Sequence, residues 1–534
     1  MPALRHLMFA IALFPVLTAA QQPAPVVHPA FPAGDSTPLG RQIAALLADP
    51  AVARANWGIA VTTLEGKPIY GLNEGQFFRP ASNAKLFTTA AALALLGPKS
   101  VVETEVFGVE PSEDGTVSGD VRLVSDGDAN LSGVPFPYTP VPGETPPSPT
   151  PLKALDDLAA QVAAHGVKRI TGDVIGDDTR WAWEPYPQSW AIDDMVWGYG
   201  APVSSLSVND SLITLTVRGG AHAGDAGTVT QSPDVGYYKL VVQVRTGEPK
   251  SAARILVNRE VGSRTVTVSG ELPPQGKDME QIAVADPPLF AALALRTELI
   301  THGIAVQGEA RAEERPATIL ESFGKQSHEP IAKLPKQATS MTPEHLCVDM
   351  CPVTLATRTS PALDQDIALT LKESQNLHAE QMLRRLGKAW GKDGSLAQGT
   401  RVLRQFLLNA GLDGNDFLFF DGSGLSDHDL VTPRTTAQLL AYATTQPWFA
   451  AWKAAQPLGG VDGTLANRFT EPPLKGHVFA KTGTLGESRA LSGYLDAASG
   501  RQIIFSIMVD NHAPGTPADR AVMDKIVAAI AATQ

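Results

Sequence analysis

Residues 81–96 read Ala-Ser-Asn-Ala-Lys-Leu-Phe-Thr-Thr-Ala-Ala-Ala-Leu-Ala-Leu-Leu. A compact run this rich in Ala and Leu predicts a buried helix, and its first turn holds Ser82 and Lys85. Three residues is nearly one turn, so the Lys85 amine can reach back to the Ser82 hydroxyl. A serine is a poor nucleophile without an adjacent base. A lysine can be that base if burial and neighbouring positive charge lower its pKa. The helix N-terminus also favours negative charge developing at Ser82. Alone the pattern is weak, because Ser-x-x-Lys turns up about once by chance in a long chain. A serine cap with a surface lysine would read the same way.

Outward from this helix, the pattern divides in three. Upstream, 40–47 reads as a helix, and 57–62 and 68–72 as strands joined by Glu65-Gly66. Downstream of residue 360, helices are expected at 367–371, 377–386, 396–412, 435–444 and 449–454. Strands follow at 477–484, 491–495 and 502–509, and a closing helix at 518–532. A strand pair at the start and a strand set with a helix at the end predict one domain closed by both termini, 39–97 with 353–534. Residues 98–352 are then an insertion of largely β character, with short β-type runs at 121–124, 213–217, 239–244, 254–258 and 265–268 between Gly-rich turns. A helix is expected at 289–302. Residues 134–151 are heavily Pro-rich and read as an irregular surface loop, and 311–352 as an extended loop. No solenoid-type repeat is present.

Two further motifs lie in the downstream part. Ser374-Gln375-Asn376 falls in a break between two helical patterns. There Ser374 can relay a proton between basic residues, and Asn376 can hold Lys85 while donating to a substrate carbonyl. Taken alone it is a polar helix junction. Lys481-Thr482-Gly483 lies on an expected strand, where alternation puts Lys481 and Gly483 on one face and Thr482 and Thr484 on the other. Gly483 leaves room for the strand to approach the nucleophile's helix. Lys481 is expected to add positive charge beside Ser374 and Lys85, and the Thr482 hydroxyl to bind a substrate carboxylate. The backbone N–H groups of Ser82 and Thr484 could form an oxyanion hole.

Ser-x-x-Lys, Ser-x-Asn and Lys-Thr-Gly in this order are the shared signature of penicillin-binding proteins and class A β-lactamases. The chain resembles the class C low-molecular-mass penicillin-binding proteins, the D-alanyl-D-alanine carboxypeptidase/endopeptidase family. That family has a large insertion after the first motif, and here 288 residues separate Lys85 from Ser374. Stretches 127–131, 170–174, 199–206, 303–308, 421–426 and 462–465 before Arg468 look like the same family, and the likeness runs from about residue 40 to the C-terminus. It implies an α/β (α+β) serine β-lactamase/transpeptidase-like domain, an antiparallel sheet flanked by helices, with one inserted domain nested in another. It further implies acyl transfer at D-Ala-terminated peptidoglycan stem peptides, covalent inhibition by β-lactams, and no metal or organic cofactor. A β-lactamase and a non-catalytic cell-wall binding protein are the competing readings. The long insertion argues against the first and the intact motifs against the second. The loops at 134–151 and 311–352 look like additions to the family pattern.

The bulk numbers are those of an ordinary folded soluble protein. The chain has 534 residues, 43% hydrophobic and 18% charged, with a formal net charge of −12. That is long enough for two or three domains, and without Lys/Arg runs it argues against a nucleic-acid surface. Arg5 and His6 precede an apolar stretch at 7–17 that is too short to span a bilayer. Small residues 18–20 complete the layout of a cleavable signal, residues 1–20, for which a retained membrane anchor is the alternative. A flexible Pro-rich lead-in, 21–38, follows. The expected location is periplasmic or otherwise extracytoplasmic, with no stable transmembrane anchor; oligomeric state leaves no signal. Cys347 and Cys351 could close a small loop disulfide, while a metal site there lacks clear partners beyond His345.

Overall fold

In the computed structural model, residues 28–534 are described except 33, 140–149, 319–320, 336–352 and 498. The expected signal, most of the Pro-rich loop and both cysteines therefore lie outside the described residues. The two ends of the chain meet in one five-stranded antiparallel sheet, in the order Val478–Leu485, Ser488–Asp496, Gln502–Asp510, Asn56–Thr63, Pro68–Leu72. Side chains alternate across it, as the two-residue period of a strand requires. Ile59, Val61, Leu491, Phe505 and Ile507 pack beneath Pro38–Leu47 and Ala518–Thr533. Ala60, Ala490, Tyr494, Ile504 and Met508 join the opposite cluster, which holds the helix Ala84–Leu95. Every residue of that helix is buried, which accounts for its apolar character all round. An antiparallel sheet with helices on both faces is the transpeptidase-like architecture.

Residues between these ends build a second five-stranded sheet, ordered Ala310–Pro316, Val174–Trp183, Val121–Ser125, Glu103–Gly108, Val353–Thr359. Two three-stranded sheets, made from residues 212–283, fall in sequence between its strands Val174–Trp183 and Ala310–Pro316. The helices Lys153–Ala164 and Pro287–Thr301 cover this region, and one hydrophobic cluster runs continuously from Val106 and Leu123 through Leu295 to Ile213 and Val266.

Three expectations need correction. Residue 353 does not start the second part of the terminal domain, since Val353–Thr359 pairs with Glu103–Gly108 at the edge of the inserted sheet. The stretch from 311 onward does not begin as a loop. Ala310–Pro316 pairs in parallel with Val174–Trp183, and Phe323–His328 is a short helix. The strand carries charge instead of an apolar alternation, because Arg311 and Glu313 form ion pairs with Asp173 and Arg122. The lead-in is also tied down at its end. Pro32 accepts a backbone hydrogen bond from Gly71 (3.2 Å), and His28 Nε2 lies 3.0 Å from Asp413. No helix among the described residues is long and apolar enough to cross a membrane.

Candidate active site

Ser82 sits in the helical turn Ala81–Asn83, which runs straight into Ala84–Leu95. Lys85 is completely buried and donates from Nζ to three acceptors: Ser82 Oγ (2.8 Å), Asn376 Oδ1 (2.6 Å) and the Ser423 carbonyl (2.8 Å). Burial lowers the Lys85 pKa to about 7, against the opposing pull of Asp421 and Glu380. Near neutrality a large share of the amine is therefore unprotonated.

Ser374 and Asn376 occupy the junction between the helices Leu363–Lys372 and Asn376–Trp390. Ser374 adopts a left-handed φ of 61°, an uncommon state for a residue with a side chain. Its hydroxyl lies 2.8 Å from Lys481 Nζ, which also donates to the Thr482 carbonyl at 2.8 Å. Lys481 is fully buried, and burial followed by the Lys85 charge holds it well below the usual lysine range. Burial and the neighbouring Lys85 charge thus work against the positive charge expected of Lys481.

The strand Val478–Leu485 passes close to Ser82. A β-carbon on Gly483 would lie 2.7 Å from the Pro80 carbonyl oxygen and 3.2 Å from Ser82 N, so only glycine fits. Lys481 and Gly483 are buried, whereas Thr482 and Thr484 sit on the more open side. Ser82, Ser374, Asn376 and Thr484 line one cavity of about 330 Å³, joined by Asp194 and Tyr199 from the inserted part. The Thr482 hydroxyl bonds that of Thr464 at 2.8 Å. All eight residues singled out in the sequence thus converge on one site.

The floor under Lys85 was not foreseen. Asp421 accepts from the N–H groups of Ser423, Gly424 and Ser426 and from the Trp190 indole. Glu380 Oε1 accepts from Gly422 and Ser423 N–H at 2.9 and 2.8 Å. Both carboxylates fix the turn whose Ser423 carbonyl receives Lys85. Burial, then the Asp421 charge, raises Glu380 to about 8 and pushes Asp429 well above the carboxylate range. The stretch 421–426 stood out in the sequence, but nothing in its spacing links it to Lys85. Among the described residues one cluster has metal-ligand types, His28, Asp413 and Asp416. There Asp416 is already engaged by Arg434 through two 2.6 Å hydrogen bonds.

Comparison with known proteins adds a family and a fold. The profile of the D-Ala-D-Ala carboxypeptidase 3 (S13) family matches residues 39–337 and 348–533. A D-alanyl-D-alanine carboxypeptidase from Actinomadura sp. (strain R39) is 32% identical over 508 residues, covering 93% of this chain and 85% of that protein. The D-alanyl-D-alanine carboxypeptidase DacB of Haemophilus influenzae is 22% identical over 464 residues, 86% of this chain and 85% of its own length. The crystal structure of penicillin binding protein 4 (dacB) from Haemophilus influenzae superposes with a TM-score of 0.73 at 21% identity, covering 91% of this chain and 97% of that one.

Proposed function

We propose that this chain, which belongs to the D-Ala-D-Ala carboxypeptidase 3 (S13) family, is an exported serine DD-peptidase that works on peptidoglycan stem peptides through an acyl-enzyme at Ser82. The observation that carries the assignment is the fully buried Lys85 amine, 2.8 Å from Ser82 Oγ and fixed by two further acceptors. Its lowered pKa gives a base that is part-neutral at physiological pH, where general-base catalysis is most effective.

In the reaction Lys85 Nζ takes the proton of Ser82 as Oγ bonds to the carbonyl carbon of the penultimate D-Ala. The backbone N–H groups of Ser82 and Thr484 receive the oxyanion, and Thr482 with Lys481 faces the terminal carboxylate. When the C–N bond breaks, the proton held by the lysine pair passes through Ser374 to the leaving amine. That amine is free D-Ala in the carboxypeptidase reaction and the side-chain amine of the acceptor stem peptide in the endopeptidase reaction. Water then attacks the ester, returning its proton along the same path, and frees Ser82. A β-lactam presents a similar carbonyl and carboxylate but keeps its leaving group tethered, so it acylates Ser82 and the ester persists. Residues 1–20, with the layout of a secretory signal, would deliver the enzyme to its extracytoplasmic substrate.

The test is D-Ala release from pentapeptide muropeptides, with cross-linked dimers as a second substrate. Wild type should release D-Ala and Ser82→Ala should not. Equal release by both proteins would overturn the assignment, as would rapid consumption of a chromogenic cephalosporin without D-Ala release.

A further inference from the structure

The helix Asn376–Trp390, whose first residue holds Lys85, is gripped along one side by the inserted part of the chain. The Tyr199 carbonyl accepts from Asn376 Nδ2 at 2.8 Å, the Ser204 carbonyl from Gln381 at 2.9 Å, and the Glu184 carboxylate from Arg384 at 2.9 Å. At the catalytic end of this row stands Asp210, with both oxygens in use. Oδ2 accepts from Gln375 Nε2 at 2.9 Å and Oδ1 from His378 Nε2 at 3.1 Å. The His378 side chain is 1% exposed, and its Nδ1 bonds Asp366 Oδ1 at 2.6 Å. Gln375 lies directly between Ser374, held by Lys481, and Asn376, held against Lys85. One carboxylate from the insertion therefore contacts the middle residue of the catalytic turn and the helix just beyond it.

The backbone that presents this carboxylate is itself unusual. Asn209, Asp210 and Ser211 have φ values of 51°, 55° and 52°, a run of left-handed residues that chains with side chains disfavour. The surroundings impose it. Asn209 N donates to the Leu131 carbonyl and Asn209 Nδ2 to the Leu212 carbonyl, each at 2.9 Å, and the Ser211 carbonyl accepts from Val284 N at 2.7 Å.

From this geometry we infer that Asp210 is a positioning residue for acylation: the inserted part uses it, through Gln375 and His378, to set the Ser374–Asn376 turn against the two lysines. The inference rests on the Ser82 acyl-enzyme reading above. It gives the insertion a part in catalysis that does not depend on substrate contact. Preorganised turns of this kind matter because small misplacements of reacting groups are expensive in rate.

The test follows acylation of the full chain by a fluorescent penicillin under pseudo-first-order conditions, in wild type, Gln375→Ala, Asp210→Ala and Glu184→Gln. Gln375→Ala and Asp210→Ala should acylate about ten- to a hundredfold more slowly. The loss should fall on the covalent step and not on the preceding non-covalent affinity. The acid limb of the pH profile should also move, because Asn376 no longer fixes Lys85. Glu184→Gln loosens the same helix away from the reaction centre and should acylate like wild type. Gln375→Ala leaves the Asp366–His378–Asp210 contacts in place, so it carries the test alone if Asp210→Ala fails to fold. A wild-type rate in Gln375→Ala would overturn the inference. So would an equal slowing in Glu184→Gln, which would mark simple docking. An unlabelled wild type would overturn the Ser82 reading itself and the positioning role with it.

Discussion

Acidification should switch off acylation by protonating one buried amine. With the Lys85 pKa at about 7, its neutral fraction falls from about 90% at pH 8 to about 10% at pH 6, roughly a tenfold loss of rate. An ordinary lysine would be neutral in about one molecule in three thousand at pH 7, so burial supplies most of the usable base. The assay is stopped-flow acylation by a reporter β-lactam between pH 5.5 and 9, at drug concentrations well below saturation. The rate should rise with pH and reach half its plateau near pH 7. Lys85→Arg should lose the acid limb with the activity, since an arginine stays protonated throughout. A rate independent of pH from 6 to 8, or an unchanged profile in Lys85→Arg, would refute the assignment of Lys85 as base.

The close passage of the Lys481 strand makes a second prediction. Gly483→Ala places a methyl 2.7 Å from the Pro80 carbonyl oxygen and 3.1 Å from Ala81 Cβ, so the strand must retreat from Ser82. Acylation should fall by at least about tenfold, while stability drops by only about 1–3 kcal/mol, read by penicillin labelling beside thermal melts. A third concerns His378. Burial would lower its pKa, but Asp366 and Asp210 more than reverse this and raise it to about 10 from 6.5. Because the folded value lies above the unfolded one, this stabilisation is complete below pH 6.5 and disappears as pH rises through about 10. The melting-temperature gap between wild type and His378→Gln should therefore be widest near pH 6 and shrink towards pH 10. A gap that widens with pH would contradict the sign. Comparing the two proteins also cancels Lys85, whose lowered pKa makes stability rise with pH between about 7 and 10.5.

The terminal parts of the fold were legible because their strands and helices are apolar with clear periods, and because Ala84–Leu95 is buried on every side. The three motifs were legible as a family signature, and local spacing supplied part of their geometry: one helical turn for Ser82 and Lys85, alternation for Lys481 and Gly483. Ala310–Pro316 was missed for the opposite reason, since ion pairs and backbone pairing hold it instead of an apolar stripe. Lys277–Ala283 was missed likewise, because charged Lys277, Asp278 and Glu280 fill the first half of a strand that pairs with Leu212–Arg218. The shell around the site follows no local spacing. The Ser423 and Tyr199 carbonyls are backbone acceptors that any residue could supply, and Asp210 lies 168 residues from His378. The lowered Lys481 pKa depends on burial beside a second amine, which only the assembled fold creates.

The most direct measurement is intact-protein mass spectrometry of the enzyme incubated with benzylpenicillin, followed by peptide mapping of the adduct. The acyl-enzyme account predicts one adduct with the mass of the whole drug, located on the peptide at Ser82 and absent from Ser82→Ala. An adduct on another residue, or its persistence in Ser82→Ala, would contradict it.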